Sequence, residues 1–253
     1  MTGKKQIIRF LIPLMIHRND RSCVLLRTDT WKRSCGTGQC YDVITGIAGR
    51  SRRTRMKGDS GRNMKEQRIL YVNACIRKKS RTRFLAEQVI RRLKGTVAEV
   101  HPVSTTGPIT SEEFIINRTE ASCRMDFTDP AYTPARQFAE ADIIVIAAPY
   151  WDLSFPAILK AYFEQINVVG LTFEYTDEGI PRGLCKARKL IYVTTAGGPI
   201  ISDEYGYGYV KTLAQNFYGI SDVCQIKAEG LDVIGADVED ILNKALEGFK
   251  LET

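Results

Sequence analysis

The hydrophobic pattern from residue 68 to the C-terminus alternates between short apolar runs and longer amphipathic segments. The apolar runs are rich in β-branched and aromatic residues, which predicts buried strands. A further block, Leu171–Gly183, predicts a short strand or hairpin that ends in a turn. The five predicted strands of the main sheet are Arg68–Ala74, Thr96–Val103, Asp142–Ala148, the first part of Lys189–Gly198, and Cys224–Val233.

Between these strands, apolar residues recur at the spacing of helices that bury one face. Ser154 is predicted as the N-cap of one helix, with Pro156 in its first turn. Gly95 and Gly219 are stop signals behind two others. Residues 104–128 are polar and yield no clear element. The predicted helices are Thr82–Lys94, Pro134–Ala141, the segment from Ser154 to Ile166, Tyr207–Ile220 and Asp237–Phe249.

This alternation predicts one α/β domain over residues 64–253. Its architecture is a doubly wound five-stranded parallel sheet with helices on both faces. In such sheets, ligands bind outside the carboxyl ends of the strands, near the switch in strand order. The loops after the first, third and fourth strands are therefore expected to line a single site.

Residues 1–63 lack sustained periodicity and carry 14 Lys and Arg against 4 Asp and Glu, a net charge of +10. The remaining residues carry a net charge of −3, so the overall charge of +7 belongs to this segment alone. The basic cluster Arg50–Arg62 is open to two interpretations, a nucleic-acid arm or a disordered tail, and we favour the tail. Since Met64 begins a run typical of a protein start, we expect residues 1–63 to be a start-site artefact or a dispensable extension, and we expect no nucleic-acid partner.

Targeting signals and cysteines give the expected location. The apolar run Ile7–Ile16 is too short to span a bilayer, and no small-residue cleavage site follows it. Seven cysteines at irregular spacing, without a C-x-x-C pair, favour a reducing compartment. Cys35 and Cys40 are a weak metal-ligand signal without a second spaced pair. We therefore predict a cytoplasmic protein without a membrane span or a bound metal.

Three loops carry the candidate chemistry. Ser80 and Thr82 place hydroxyls at the start of a helix, which favours either an anion site or simple helix capping. Tyr150 and Trp151 follow the third strand as a ring-lined wall, unless they serve core packing or a subunit contact. The glycine loop Thr195–Gly198 lets backbone approach a flat ligand, or is only a turn. Together, the loops suit a mononucleotide with a planar head group.

Four blocks make the pattern recognisable: SRT at residues 80–82, APYWDLSFPAILKAYFEQI at 148–166, GLTFEYTDEGIPRGL at 170–184, and VTTAGG at 193–198. The chain from Met64 onward resembles the flavodoxin-like FMN-dependent NAD(P)H oxidoreductases, the family of azoreductases and quinone reductases. The resemblance implies non-covalently bound FMN, NADH or NADPH as electron donor, and a small-molecule quinone or azo acceptor. It also implies a homodimer with active sites at its interface.

Carried over by position, the resemblance also implies the cofactor ligands. Cys75 stands where relatives such as the enterobacterial azoreductases have serine, and Asp152 replaces an asparagine. No side chain is expected to act as a nucleophile or an acid–base catalyst, because the flavin carries the chemistry. The phosphate is assigned to Cys75, Ser80, Arg81 and Thr82; the isoalloxazine to Tyr150, Trp151, Asp152 and Leu153; and its pyrimidine edge to Thr195, Ala196, Gly197 and Gly198.

Two other functions stay open from the sequence. One is a non-enzymatic FMN electron carrier, although a net charge of −3 is weak for that role. The other is a regulatory subunit of a cation efflux system, a role that some quinone-reductase relatives have. The enzyme that we expect would follow ping-pong kinetics, with two electrons passing as hydride from the nicotinamide to FMN and on to the acceptor.

Overall fold

The computed structural model of the chain describes residues 66–102 and 111–249, together with two short strands near the N-terminus. The chain divides into two units, Met1–Lys65 and Glu66–Thr253. In the first unit, β1 (His17–Asn19) and β2 (Ser22–Val24) form an antiparallel pair. The other predictions for residues 1–63 lie outside the described residues, and the proposed extension stays a prediction.

The second unit contains the sheet that the sequence predicts. Five strands pair in the order β4-β3-β5-β8-β9, all in parallel, and β6 and β7 form a separate antiparallel hairpin. β4 and β9 are shorter than predicted. The strands are β3 (Arg68–Asn73), β4 (Thr96–Val100), β5 (Ile143–Ala147), β6 (Phe173–Tyr175), β7 (Pro181–Gly183), β8 (Lys189–Thr195) and β9 (Asp222–Ala228).

Helices cover both faces of this sheet, as predicted. Leu85 of the first helix and Leu242 of the last one pack against one face, and Phe138, Leu159 and Val210 pack against the other. The six α-helices of the described residues are α1 (Arg81–Arg92), α2 (Glu112–Arg124), α3 (Thr133–Glu140), α4 (Ala157–Ile166), α5 (Tyr209–Leu213) and α6 (Val238–Glu247). Single π-helical turns, Glu204–Gly208 and Ala214–Tyr218, flank α5.

The central strand shows why its sequence is an unbroken apolar run. All five residues of β5 are buried. Ile144 and Ile146 belong to the core on one face, and Val145 belongs to the core on the other. Because helices cover both faces of this parallel strand, every side chain of β5 points into a core, and a continuous apolar run is the expected sequence.

Two local predictions need correction. Ser154 is not the N-cap of α4, which begins at Ala157 with Pro156 at the cap position and no side-chain cap. The Ser154 hydroxyl donates instead to the carbonyl of Tyr205, at 2.5 Å. The polar stretch around residues 104–128 does contain a helix, α2, whose N-cap Ser111 accepts a hydrogen bond from the backbone of Phe114.

Within residues 66–102 and 111–249, we find no helix with both the length and the apolar character that a bilayer crossing requires.

Candidate functional site

The loops at the carboxyl edge of the sheet line one cleft of about 200 Å³. They follow β3, β5 and β8, as the position of ligand sites in doubly wound sheets predicts. The loop after β9 also reaches the cleft. The lining residues are Cys75, Ile76, Arg77, Lys79, Ser80, Arg81, Thr82, Pro149, Tyr150, Trp151, Thr195, Gly197 and Asp232.

The loop between β3 and α1 is shaped by a buried asparagine. The side-chain oxygen of Asn73 accepts a hydrogen bond from the Cys75 N–H at 3.1 Å, and its amide nitrogen donates to Glu99 at 2.8 Å. The Cys75 thiol is buried, and this burial raises its pKa despite the opposing effect of Ser80. Cys75 is therefore a neutral thiol at neutral pH, which suits it to neighbour an anion.

Ser80 does cap α1, because its hydroxyl accepts a hydrogen bond from the backbone N–H of Arg83 at 3.2 Å. Capping and anion binding are compatible here. The N–H groups of Arg81 and Thr82, in the first helical turn, have no acceptor within the helix. They lie at the N-terminal end of α1, which is the positive end of the helix dipole, and can donate to an anion.

Thr82 and Thr195 join the first and third predicted loops. Their hydroxyl oxygens are 2.6 Å apart, and both side chains are buried. One hydroxyl donates to the other, so the pair retains a second proton that can be donated elsewhere. The Thr82 hydroxyl is thus a link between α1 and β8 as well as a candidate phosphate ligand.

Arg81 is tied to the loop after β9. Its guanidinium donates to the carbonyl of Leu231 at 2.8 Å and lies 2.8 Å from a carboxylate oxygen of Asp232. The apolar pattern did not predict Asp232 as a site residue because it extends the strand to Val233, whereas β9 ends at Ala228. Gly230, a turn glycine with φ at 75°, is the sequence signal that the strand ends before residue 230 and that the loop begins there.

Cations dominate the cleft. Among the residues that the structure describes, Arg77, Lys79 and Arg81 line it together with a single carboxylate, that of Asp232. The cleft is therefore electropositive, and the net charge of −3 on residues 64–253 does not extend to it. An anionic ligand group is the chemistry that such a lining favours.

Tyr150 and Trp151 form an aromatic side of the cleft. The Arg77 guanidinium lies over the Trp151 ring, 6.0 Å from its centroid. The Tyr150 hydroxyl is buried and has no hydrogen-bond partner among the residues that the structure describes. An orphaned buried hydroxyl commonly marks a place where a ligand or water completes the bonding.

Residues 151–154 form a tight turn. Trp151 and Ser154 exchange backbone hydrogen bonds of 2.9 and 2.8 Å, and both central residues have positive φ, 50° at Asp152 and 68° at Leu153. Positive φ at both central positions defines a type I′ turn, which aspartate and asparagine tolerate better than other non-glycine residues. Asp152 and Leu153 do not line the cleft.

The glycine loop is bound to the loop after β9. The carbonyls of Ala196, Gly197 and Gly198 accept hydrogen bonds of 2.8–3.2 Å from the N–H groups of Leu231, Asp232 and Gly230. The N–H groups of Gly197 and Gly198 bond to no other described residue and stay available as donors. A Cβ atom on Gly197 would lie 2.1 Å from a carboxylate oxygen of Asp232, so a side chain here would displace Asp232.

Most of the predicted ligand residues come together in this cleft, but not all of them. The structure places Cys75, Ser80, Arg81, Thr82, Tyr150, Trp151, Thr195 and Gly197 on its lining. Their role as cofactor ligands stays a prediction. The predicted residues that lie outside the lining are Asp152, Leu153, Ala196 and Gly198.

Comparison with known proteins shows the family. A family model described as a flavodoxin-like fold matches residues 67–251, so the chain belongs to this family. An FMN-dependent NADH:quinone oxidoreductase 2 of Clostridium acetobutylicum is 50% identical over 121 residues, which are 46% of this chain and 60% of the relative. The corresponding protein of Lachnoclostridium phytofermentans is 52% identical over 107 residues, 42% of this chain and 53% of the relative.

Solved structures agree on the fold. The azoreductase from Bacillus anthracis superposes with a TM-score of 0.59 at 25% identity, over 72% of this chain and 96% of that chain. The sequence matches, by contrast, span only 53–60% of the length of the two curated relatives named above.

Proposed function

We propose that this chain is an FMN-dependent oxidoreductase that transfers electrons from NADH to quinones or azo compounds. The observation that carries the proposal is the convergence of the three loops after β3, β5 and β8 on one electropositive cleft. The names of the matched relatives, FMN-dependent NADH:quinone oxidoreductases, support the same activity. A cytoplasmic location stays a prediction from the cysteine pattern.

The residues present fit FMN. A phosphate would lie against the first turn of α1, where the N–H groups of Arg81 and Thr82 and the remaining hydroxyl proton of the Thr82–Thr195 pair can donate to it. The Tyr150 hydroxyl is a buried polar atom that still needs a partner. The N–H groups of Gly197 and Gly198 are free to meet carbonyl oxygens of a flavin ring. Acceptor-rich FMN matches this set of donors.

The chain's own residues bind, orient and exclude water. When bound, FMN would supply the capacity to take a hydride from a nicotinamide and pass it to a quinone or azo group. Trp151 and Tyr150 would hold the planar head group in place, with the type I′ turn at residues 151–154 keeping the aromatic side rigid. Donor and acceptor would use the same place in turn, which predicts ping-pong kinetics.

The size of the cleft supports a homodimer. A volume of about 200 Å³ is below the roughly 300–1,000 Å³ of typical small-molecule sites. Exposed apolar side chains lie on the lining, at Ile76, and at or beside the turn of residues 151–154, at Leu153 and Tyr205. A second copy of the chain that covers these residues would complete the walls of the site.

Two measurements test the proposal. Purified protein should show flavin absorption bands, or acquire them with added FMN, and release FMN on denaturation. It should oxidise NADH in the presence of menadione with parallel double-reciprocal plots. Bound FMN without turnover on NADH or NADPH would favour an electron carrier, and protein that cannot be loaded with FMN would refute the proposal.

A further inference from the structure

Asp232 contacts two parts of the cleft that a mononucleotide has to span, the start of α1 and the glycine loop. One carboxylate oxygen lies 2.8 Å from the guanidinium of Arg81, at the start of α1. The other carboxylate oxygen packs against Gly197, since it would lie only 2.1 Å from a Cβ atom added to this glycine. The Asp232 N–H donates to the carbonyl of Gly197 at 2.8 Å. Asp232 thus contacts the anion-binding end and the glycine loop at once.

Arg81 is held from two directions by the same loop. Besides Asp232, its guanidinium donates to the carbonyl of Leu231 at 2.8 Å. Leu231 is 3% exposed, so this carbonyl belongs to a fixed part of the core. A guanidinium presents its donors in a rigid planar fork, so the two contacts set its orientation. The side chain of Arg81 therefore fixes the first turn of α1 relative to residues 231 and 232.

We propose that Asp232 is a positioning residue for the phosphate end of the ligand, acting through Arg81. The Arg81–Asp232 pair sets the distance between the N–H donors of α1 and those of the glycine loop, so that a ligand with a phosphate at one end and a flat ring at the other bridges both. The proposal rests on the proposed function, because it takes FMN as the ligand.

A positioning role and simple electrostatics predict opposite changes in FMN affinity when the charge of Asp232 is removed. Asp232 is the one carboxylate among the described residues of the cleft lining, so neutralising it makes the lining more positive. Coulomb's law alone then predicts tighter binding of a phosphate. If Asp232 acts by orienting Arg81, the Asp232→Asn variant should instead bind FMN about two- to fivefold more weakly, the range expected for an ion pair whose Asp232 side chain is 67% exposed. Riboflavin, which lacks the phosphate, should bind the variant as well as the wild type.

A matched control lies at the amino ends of the strands, away from the cleft. Asp222 at the start of β9 forms an ion pair of similar length, 2.9 Å, with Lys189 at the start of β8. The Asp222→Asn variant removes the same charge and an exposed ion pair of the same strand, but at the amino ends of the strands. It should bind FMN and riboflavin as the wild type does.

The experiment measures dissociation constants of FMN and riboflavin by flavin fluorescence for the wild type and both variants. Weaker FMN binding with unchanged riboflavin binding, in Asp232→Asn alone, supports the proposal. Equal or tighter FMN binding overturns it, and an equal loss for both ligands overturns it in favour of a general structural role. If Asp232→Asn does not fold, the ratio of the FMN and riboflavin dissociation constants is measured for Arg81→Lys instead. The lysine ammonium keeps the positive charge but not the planar set of donors of the guanidinium.

Failure of the proposed function would look different. If the wild type binds no FMN under any condition, the FMN proposal fails, and inorganic phosphate becomes the probe for the Arg81–Asp232 pair. Stabilisation of the wild type by phosphate in thermal unfolding, reduced in Asp232→Asn but not in Asp222→Asn, would support the positioning role. Equal stabilisation of all three proteins, or none, would overturn it.

Discussion

The hairpin formed by β6 and β7 offers a sharp test of its packing against the π-helical turn Ala214–Tyr218. Gly183 ends β7, and a Cβ atom on it would lie 2.0 Å from the carbonyl carbon of Tyr218 and 2.1 Å from the nitrogen of Gly219. Non-bonded carbon atoms approach to about 3.5–4.0 Å. Gly183→Ala therefore creates an overlap of about 1.5 Å with backbone atoms, which cannot rotate away as a side chain would.

The expected cost follows from this geometry. Overpacking in a well-packed core costs about 1–3 kcal/mol, and an obstruction by backbone belongs at the upper end. To relieve the overlap, the hairpin has to move away from the helix. That movement also loosens the ring contact between Phe173 and Phe217, whose centroids are 4.9 Å apart. We therefore expect Gly183→Ala to lower the free energy of unfolding by about 3 kcal/mol.

Urea unfolding followed by circular dichroism measures this loss. With a slope of about 2 kcal/mol per molar urea, a loss of 3 kcal/mol moves the midpoint down by about 1.5 M. Gly198→Ala is the control, because nothing lies within 4 Å of its added Cβ atom and its φ is not positive. Its free energy of unfolding should stay within about 0.5 kcal/mol of the wild type. A Gly183→Ala midpoint within about 0.3 M of the wild type would refute the reasoning.

Three further results are expected. Thr82→Val leaves the buried hydroxyl of Thr195 without its partner at 2.6 Å, so urea unfolding should show a loss of about 1–2 kcal/mol, with Thr82→Ser near the wild type. Burial raises the pKa of Cys185 to about 12, so at pH 8 its thiolate population is about a thousandfold below that of an ordinary thiol. Mass spectrometry after brief iodoacetamide treatment should find Cys185 unmodified in native protein and modified in urea; equal labelling would contradict the burial. In a Trp31→Phe variant, FMN should quench the fluorescence of Trp151, and unchanged emission would place the ligand away from that ring.

The sheet was predictable because burial on both faces leaves an unambiguous pattern. The apolar run at residues 143–147 is a strand in the structure, and the family match agrees with the fold that it implies. Helix α2 gave no such pattern, since Ala121 is its one buried residue among those that the structure describes. A helix that buries so little carries no periodic apolar signal, and its capping residue Ser111 is too common to reveal it alone.

Long-range contacts explain what the sequence could not show in the site. Asp232 contacts Arg81, which lies roughly 150 positions earlier in the chain, and no local pattern around Asp232 predicts this contact. Asp152 shows a second limit. The resemblance places it along the isoalloxazine, and that role stays a prediction; the sequence did not reveal the left-handed backbone that the structure shows at this position. Aspartate and asparagine share the ability to adopt that conformation, so an exchange between them preserves the turn.

The hydrogen bonds of the glycine loop have a consequence for ligand discovery. The carbonyls of Ala196, Gly197 and Gly198 each accept a hydrogen bond from the loop after β9, while the N–H groups of Gly197 and Gly198 remain unbonded to the rest of the described chain. The main chain at this wall therefore presents unpaired N–H donors, whereas each of these carbonyls already accepts one hydrogen bond. In a fragment screen, compounds that carry carbonyl, carboxylate or phosphate oxygens should be enriched among the hits. Primary amines and other pure donors should be depleted, whatever their shape.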